Sequence, residues 1–142
     1  MDLSELTLQK MWSEKLQLVV FYDNDKACEK YPKLWPAKYI PAPWHNTQSC
    51  DKMVAGVAND LKDRQRDQPK KFYVTQGILT PQNPYVALHP NSTLRDTHAG
   101  KELDQFFDWL RKQKCGPGGI NIVTADFIEL TPLVSIVLGM NR

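Results

Sequence analysis

The chain has 142 residues, of which 42% are apolar and 24% charged, a composition typical of a globular domain and not of a disordered one. Its 18 basic and 16 acidic residues leave a net charge of +2, which argues against a dedicated nucleic-acid-binding surface. No apolar run approaches the roughly 18 residues needed to cross a bilayer. Because no secretory signal follows Met1, we expect a cytoplasmic protein, or a secreted one if a signal peptide lies upstream.

The cysteines are three in number (Cys28, Cys50 and Cys115) and form no CxxC pair, so neither a zinc site nor a disulfide framework is expected. The triplet at 91–93 (NST) is a formal glycosylation acceptor. In a secreted form, a bridge between Cys28 and Cys50 becomes an alternative. Cys50 also lies near a predicted helix start, which could lower its thiol pKa, although no matching base is evident.

The amino-terminal third begins with a predicted helix after Ser4, whose apolar face carries Leu8, Met11 and Trp12. The apolar run at 16–22 (LQLVVFY) then predicts a parallel strand buried on both faces. Residues 26–48 contain four prolines, which exclude a helix, and we expect only a short extended piece around 40–44.

Ser49 is a good N-cap for a second helix, and the charged run at 62–67 predicts its solvated tail. The apolar stripe of this helix recurs at the helical period and comprises Met53, Val54, Val57 and Leu61. A strand is predicted at 72–79, and a long polar loop at 80–99 follows it.

The next helix is predicted by four apolar residues at helical spacing, namely Leu103, Phe106, Phe107 and Leu110. A glycine-rich stop at 116–119 ends it, and a strand at 120–128 follows. Thr131 and Pro132 then open a last helix. Its predicted buried face comprises Leu133, Val134, Val137 and Leu138.

This alternation predicts an α/β fold with right-handed strand–helix–strand units and a mostly parallel sheet. Two architectures fit the pattern. One is a small doubly wound domain that stands alone, and the other is part of a (β/α)8 barrel, which needs about 250 residues in all. The pattern alone does not choose between them.

Functional groups of such folds collect at the carboxyl ends of the strands. By that rule the candidate residues are Tyr22, Asp23, Trp44, Asn46, Gln76, Thr80 and Asp126. Asp126 is the sharpest candidate, because a carboxylate inside an apolar strand is costly unless it is paired or hydrogen-bonded. It either caps the final loop or orients a catalytic histidine or a ligand hydroxyl.

The three histidines (His45, His89 and His98) are interpreted as surface residues, since none is part of a metal-binding spacing. The glycine-rich stretch precedes a strand, whereas phosphate-binding loops sit between a strand and a helix. No Gly-x-Ser-x-Gly nucleophile motif occurs. Residues and spacing alone therefore define an α/β domain with an aromatic, proline-rich segment and a buried carboxylate.

Several strings of the sequence together resemble the phosphatidylinositol-specific phospholipase C X domain-containing proteins. They occur in the family's order over nearly the whole chain and read LVVFY at 18–22, LWP at 34–36, PAPWxNT at 41–47, TQGILTP at 75–81 and GINIVTADF at 119–127. Each string is weak alone, and their combination is specific.

The resemblance implies the C-terminal half of a (β/α)8 TIM-type barrel, with residues 1–142 forming a single partial domain that holds strands five to eight. It implies a phosphoric diester hydrolase of lipid metabolism, whose general-base and general-acid histidines belong to the missing first half. Asp126 then resembles the carboxylate that holds the general-base histidine. Tyr22, Trp44 and Asn46 are expected to line the inositol phosphate pocket.

No cofactor is expected in this chain, and any calcium requirement belongs to the missing half. The expected partner is a phosphoinositide-like lipid, reached by peripheral contact and without a transmembrane segment. Half a barrel also exposes apolar strand edges, so the chain alone should self-associate. The alternative to an enzyme piece is a non-catalytic module that binds a lipid headgroup or a protein through its aromatic segment.

Overall fold

The structure is a computed structural model that describes residues 6–67 and 70–141. Its helices are α1 (Leu8–Ser13), α2 (Asp25–Lys30), α3 (Cys50–Asp67), α4 (Asn83–Leu88), α5 (Leu94–Thr97), α6 (Asp104–Leu110) and α7 (Leu133–Met140). Its strands are β1 (Val20–Tyr22), β2 (Leu34–Pro36), β3 (Val74–Gly77) and β4 (Ile122–Ala125). Short 3-10 turns lie at Ala37–Tyr39, Gly100–Leu103 and Ile128–Leu130.

The strands form two parallel pairs. In one pair β1 lies beside β2, with Val20 opposite Leu34. In the other pair β3 lies beside β4, with Val74 opposite Ile122 and Gly77 opposite Ala125. The predicted parallel strands are therefore present, but the described residues close no barrel, and the half-barrel stays a prediction.

Residues 41–47, which we call the proline segment, run beside β3 in the same direction. The Val74 amide donates to the Pro41 carbonyl at 3.0 Å, and the Thr80 amide donates to the Thr47 carbonyl at 2.8 Å. Because Pro41 and Pro43 have no backbone N–H, the segment cannot complete a regular ladder with β3. It therefore stays extended without becoming a named strand, as the prolines predict.

The core lies between β3–β4 and the helices. Its buried apolar residues come mainly from α3 (Met53, Val57, Leu61), α6 (Phe106, Phe107, Leu110) and α7 (Leu133, Ile136). Gly77 of β3 lies so close to Phe106 that an added Cβ would be 2.2 Å from a ring carbon. A residue without a side chain is thus required where the sheet meets α6.

The predicted helix at Ser49 is confirmed. Helix α3 begins at Cys50, and the Ser49 hydroxyl accepts from the Lys52 amide at 3.3 Å. One residue of its charged run is not in water as predicted, because Arg64 is buried. Its guanidinium donates to the carbonyls of Gly119 at 2.7 Å and Lys71 at 3.0 Å, which compensates the burial of the charge.

The apolar faces predicted for the first strand and first helix are not buried. Leu18 is 75% exposed and Tyr22 48%, although Phe21 packs edge-on against Phe72 with ring centroids 5.6 Å apart. Leu8 and Trp12 of α1 are exposed as well. Nothing in the described residues covers these surfaces, and Ser4 lies outside them.

Three short helices were not predicted. Helix α2 occupies the part of 26–48 that precedes its first proline, where Asn24 caps it by accepting from the Ala27 amide at 3.0 Å. Helices α4 and α5 lie in the predicted loop at 80–99. In α7 the buried residues are Leu133 and Ile136, whereas Val134 and Leu138, predicted to be buried, are exposed.

Candidate functional site

The two faces of the β3–β4 sheet differ in what covers them. Thr75 and Gly77 are buried on the side of the helices, and their register partners Val123 and Ala125 pack on the same core. Side chains alternate across a strand. Gln76 and its neighbour Thr124 therefore lie on the opposite side, which we call the open face because the core formed with α3, α6 and α7 lies against the other side.

Asp126 directly follows β4 and by the same alternation lies on the open face with Thr124. It is half-buried, and its carboxylate makes no hydrogen bond or ion pair with a described residue. The Thr124 hydroxyl is buried and likewise lacks a partner among these residues. Phe127 then turns the chain with a left-handed φ of 50°. The predicted carboxylate thus stands at the carboxyl end of a parallel strand with its acceptors unused.

Trp44 and Asn46 reach the same end of the sheet from the proline segment. The Trp44 indole Nε1 donates to the Thr80 hydroxyl at 3.1 Å. The Asn46 carbonyl accepts from the Gln82 side-chain amide at 3.2 Å. Asn46 has a φ of 28°, a left-handed conformation that asparagine tolerates better than most residues. Both predicted residues therefore lie beside the end of β3.

Tyr22 is not joined to this group. It ends β1 in the other sheet, half-exposed, opposite Pro36. No side-chain hydrogen bond links it to Trp44, Asn46 or Asp126 among the residues that the structure describes. The structure thus brings two of the predicted pocket residues together and places the third on a separate strand pair.

Gln76 and Gln82 have structural partners. The Gln76 amide donates to the carbonyls of Ala42 at 2.7 Å and Pro43 at 3.1 Å, so this predicted residue ties the proline segment to β3. Gln82 was missed by sequence reasoning. No strand periodicity reaches Gln82, because β3 ends at Gly77 and Pro81 lies between them.

Arg95 was missed as well, because it lies in the region that was predicted to be a loop. Its guanidinium lies over the Phe127 ring, 5.7 Å from the centroid, and pairs with Glu129 at 2.7 Å. It is thus a cation near the turn that follows Asp126. No sequence signal pointed to it, since its neighbourhood depends on how α5 folds back.

Each histidine has a partner other than Asp126. His45 lies 2.7 Å from an Asp60 carboxylate oxygen, His89 stacks on Tyr85 with centroids 4.1 Å apart, and His98 lies 2.7 Å from the Thr97 hydroxyl. His98 is buried, contrary to prediction, and burial lowers its pKa. His45 is also only partly exposed, so the surface interpretation holds for His89 alone.

The thiol of Cys50 does not have the lowered pKa that its place near a helix start could have given it. Burial raises that pKa more than the Phe106 backbone hydrogen bond lowers it, and the nearby carboxylates of Asp51, Glu102 and Asp104 raise it further. All three cysteines are free thiols.

Among residues 6–67 and 70–141, no group of three His, Cys, Asp or Glu side chains is arranged to hold a metal ion. No helix in this part of the chain combines the length and the apolar character that spanning a bilayer requires.

Fold and site together define an α/β protein whose polar groups gather at the carboxyl ends of parallel strands, where this class binds ligands. The chain is 39% identical over 137 residues to the PI-PLC X domain-containing protein 3 of Danio rerio, covering 96% of this chain and 42% of that protein. It is 37% identical to the Mus musculus protein of that name, again over 96% of this chain and 42% of that protein. It is 36% identical to PI-PLC X domain-containing protein 2 of Mus musculus, over 99% of this chain and 40% of that protein.

The chain is therefore a homologue of the PI-PLC X domain-containing proteins, which confirms the resemblance carried by its motifs. It spans about two fifths of the length of these curated relatives, 42% and 40%. No family model matches the chain. No solved structure matches it either.

Proposed function

We propose that this chain supplies strands five to eight of a PI-PLC-like (β/α)8 barrel, and that the barrel is a phosphoric diester hydrolase acting on phosphoinositide-like lipids. The observation that carries the proposal is the open face. Asp126 and Thr124 lie there with unused hydrogen-bonding capacity, and Trp44 and Asn46 lie at the same end of the sheet. A polar face that lies away from the helical core and holds the unpaired Thr124 hydroxyl suits a sheet whose other half comes from elsewhere in a longer protein.

Asp126 would act through a histidine supplied by that other half. A carboxylate bonded to one imidazole nitrogen fixes the tautomer and stabilises the imidazolium after the other nitrogen takes a proton. The proton would come from the inositol 2-hydroxyl as it attacks phosphorus, and a second histidine would protonate the departing diacylglycerol oxygen. Asp126 is therefore a positioning residue, and Trp44, Asn46 and Tyr22 are candidates for headgroup contact.

The histidines of this chain favour a non-catalytic role for the chain when it is alone. All three are bonded or stacked elsewhere, and none bonds to Asp126. Without a base and an acid, the chain alone would be a non-catalytic module that binds a lipid headgroup or a protein. The two readings differ in whether the chain completes a larger barrel.

The test is a chimaera in which this chain replaces the matching segment of the Danio rerio relative. Hydrolysis of phosphatidylinositol vesicles is followed by release of soluble inositol phosphates. We expect the chimaera to be as active as the relative, and the isolated chain to be inactive. An inactive relative, or an active isolated chain, would contradict the proposal.

In that chimaera we predict that Asp126→Asn slows turnover by about 10²–10⁴-fold, because the amide cannot hold the histidine in the required tautomer. The control is Asp108→Asn, which removes an exposed carboxylate of α6 that pairs with Arg111 just after that helix. The control should keep full activity. An unchanged rate for Asp126→Asn would make Asp126 a structural cap.

A further inference from the structure

We propose that His45 is a positioning residue, held by Gly56 and Asp60 of α3, that aims Trp44 and Asn46 at the open face. The purpose of this positioning rests on the proposed function. The contacts of His45 with Gly56 and Asp60 do not depend on that function. His45 was expected to be an ordinary surface residue.

The proline segment has two different sides. Its odd-numbered residues from 41 to 47 are all half-buried, and the even-numbered residues between them are all exposed. From Pro41 to His45 this alternation is that of an extended chain with one face towards α3 and the other exposed, and Asn46 then turns with its left-handed φ of 28°. His45 is on the covered side, while Trp44 and Asn46 on either side of it are on the uncovered side.

The imidazole of His45 sits in a fitted position on α3. Its Nε2 lies 2.7 Å from Asp60 Oδ2, and both side chains are largely shielded, with exposures of 22% and 27%. Because an ionised carboxylate only accepts, Nε2 carries the proton and donates. The ring lies against Gly56, where an added Cβ would be 2.4 Å from Nδ1. Glycine in mid-helix is unfavourable, so its presence here reflects the room that the ring needs.

The opposite side of the segment is held by β3 and the residues after it. Gln76 bonds to the carbonyls of Ala42 and Pro43, and Thr80 accepts from the Trp44 indole. Because neither Pro41 nor Pro43 can donate a backbone hydrogen bond, side chains add to the two backbone bonds that hold the ends of the segment at the Pro41 and Thr47 carbonyls. The His45 contact is the attachment on the α3 side nearest to Trp44 and Asn46.

Two roles of His45, a structural anchor alone or a positioning residue, lead to different expected results. An anchor alone would change stability when removed, without a specific change at Trp44. A positioning residue would also change the surroundings of the Trp44 indole, through its hydrogen bond to Thr80. The decisive measurement therefore reports on Trp44 separately from stability.

The experiment is 19F NMR on the full chain with 5-fluorotryptophan at its four tryptophans, the Trp44 resonance being assigned with Trp44→Phe. The test variants are His45→Ala and Gly56→Ala, and the matched control is Gly139→Ala. Gly139 also lies in a helix, but nothing lies within 4 Å of its added Cβ. His45→Gln serves as the conservative variant, since its amide can still donate to Asp60.

We expect His45→Ala and Gly56→Ala to shift or broaden the Trp44 resonance and to leave the other three unchanged. Gly56→Ala should lower the Tm by about 3 °C or more, although alanine is the better helix former. Gly139→Ala should leave the Trp44 resonance unchanged and should not lower the Tm, and His45→Gln should restore much of the Trp44 signal. A Trp44 resonance that is unchanged in His45→Ala and Gly56→Ala would overturn the proposal.

Titration with inositol 1-phosphate separates this proposal from the proposed function. If the unsubstituted chain binds it, affinity should fall in His45→Ala and be largely kept in His45→Gln. If the unsubstituted chain does not bind it, the alternative of a headgroup-binding module formed by this chain alone is contradicted. The Trp44 signal still decides the role of His45 in that case.

Discussion

At the scale of single residues, the strongest sequence signal was a carboxylate in an apolar strand. Asp126 could be chosen on that basis because burying a charge is costly. What could not be predicted is that its acceptors remain unused, since this depends on which side chains approach from other elements. His45 and His98 show the same limit, because their partners Asp60 and Thr97 are defined only by packing.

His98 gives a prediction of pH dependence. Burial is the largest cause that lowers its pKa, with Glu102 opposing it, so the folded pKa lies below the ordinary value of 6.5. Below about pH 6.5 the unfolded chain then binds more protons than the folded chain, and the free energy of unfolding falls as pH drops.

Urea unfolding at pH 7.5 and pH 5.5 measures this difference. His98→Gln should lessen the loss of stability between the two values. His89→Gln, at an exposed histidine that stacks on Tyr85, should leave it unchanged. An equal loss in the chain and in His98→Gln would show that other groups cause the pH dependence.

At the scale of elements, periodicity predicted the two helices with the most buried apolar residues, α3 and α6. Their stripes are long enough to stand out in the sequence, and both are buried as predicted. Helices α2, α4 and α5 have six, six and four residues, too few to show a period. Their local signals were the caps Asn24 and Thr93 for α2 and α5, and Pro84 in the first turn of α4.

The α6 core can be tested with a pair of substitutions. Phe106 is 0% exposed and packs against Gly77, so Phe106→Ala should lower the free energy of unfolding by about 3–5 kcal/mol. Leu88→Ala, at a leucine that is 78% exposed, should change it by about 0.5 kcal/mol or less. Chemical denaturation measures both. A loss below about 1 kcal/mol for Phe106→Ala would contradict the assigned core.

At the scale of the whole molecule, the alternation of strands and helices predicted the parallel pairing but not which surfaces would be covered. The run at 16–22 predicts a strand that is buried on both faces, yet Leu18, Val20 and Tyr22 are exposed. A run of apolar residues predicts burial but does not identify the elements that would cover it. Sequence alone therefore could not show that one side is open.

From this exposure we predict that the isolated chain self-associates through the β1 surface. Sedimentation velocity should show dimers or larger species at micromolar concentration. Leu18→Lys should shift the distribution toward monomer, whereas Leu138→Lys, at an exposed leucine of α7, should not. A chain that stays monomeric at all concentrations would refute the prediction.

The two-sided proline segment also determines which changes this stretch of sequence can accept. Replacing one side chain alters a single contact on one side. Deleting or inserting one residue before His45 exchanges the two sides, turning the imidazole away from α3 and a neighbouring side chain into Gly56. The Pro41 and Thr47 carbonyls accept hydrogen bonds from the Val74 and Thr80 amides. The number of residues between these two carbonyls therefore matters more than their identity. Homologues that differ here should therefore differ by substitution, and gaps in their alignment should fall outside the segment.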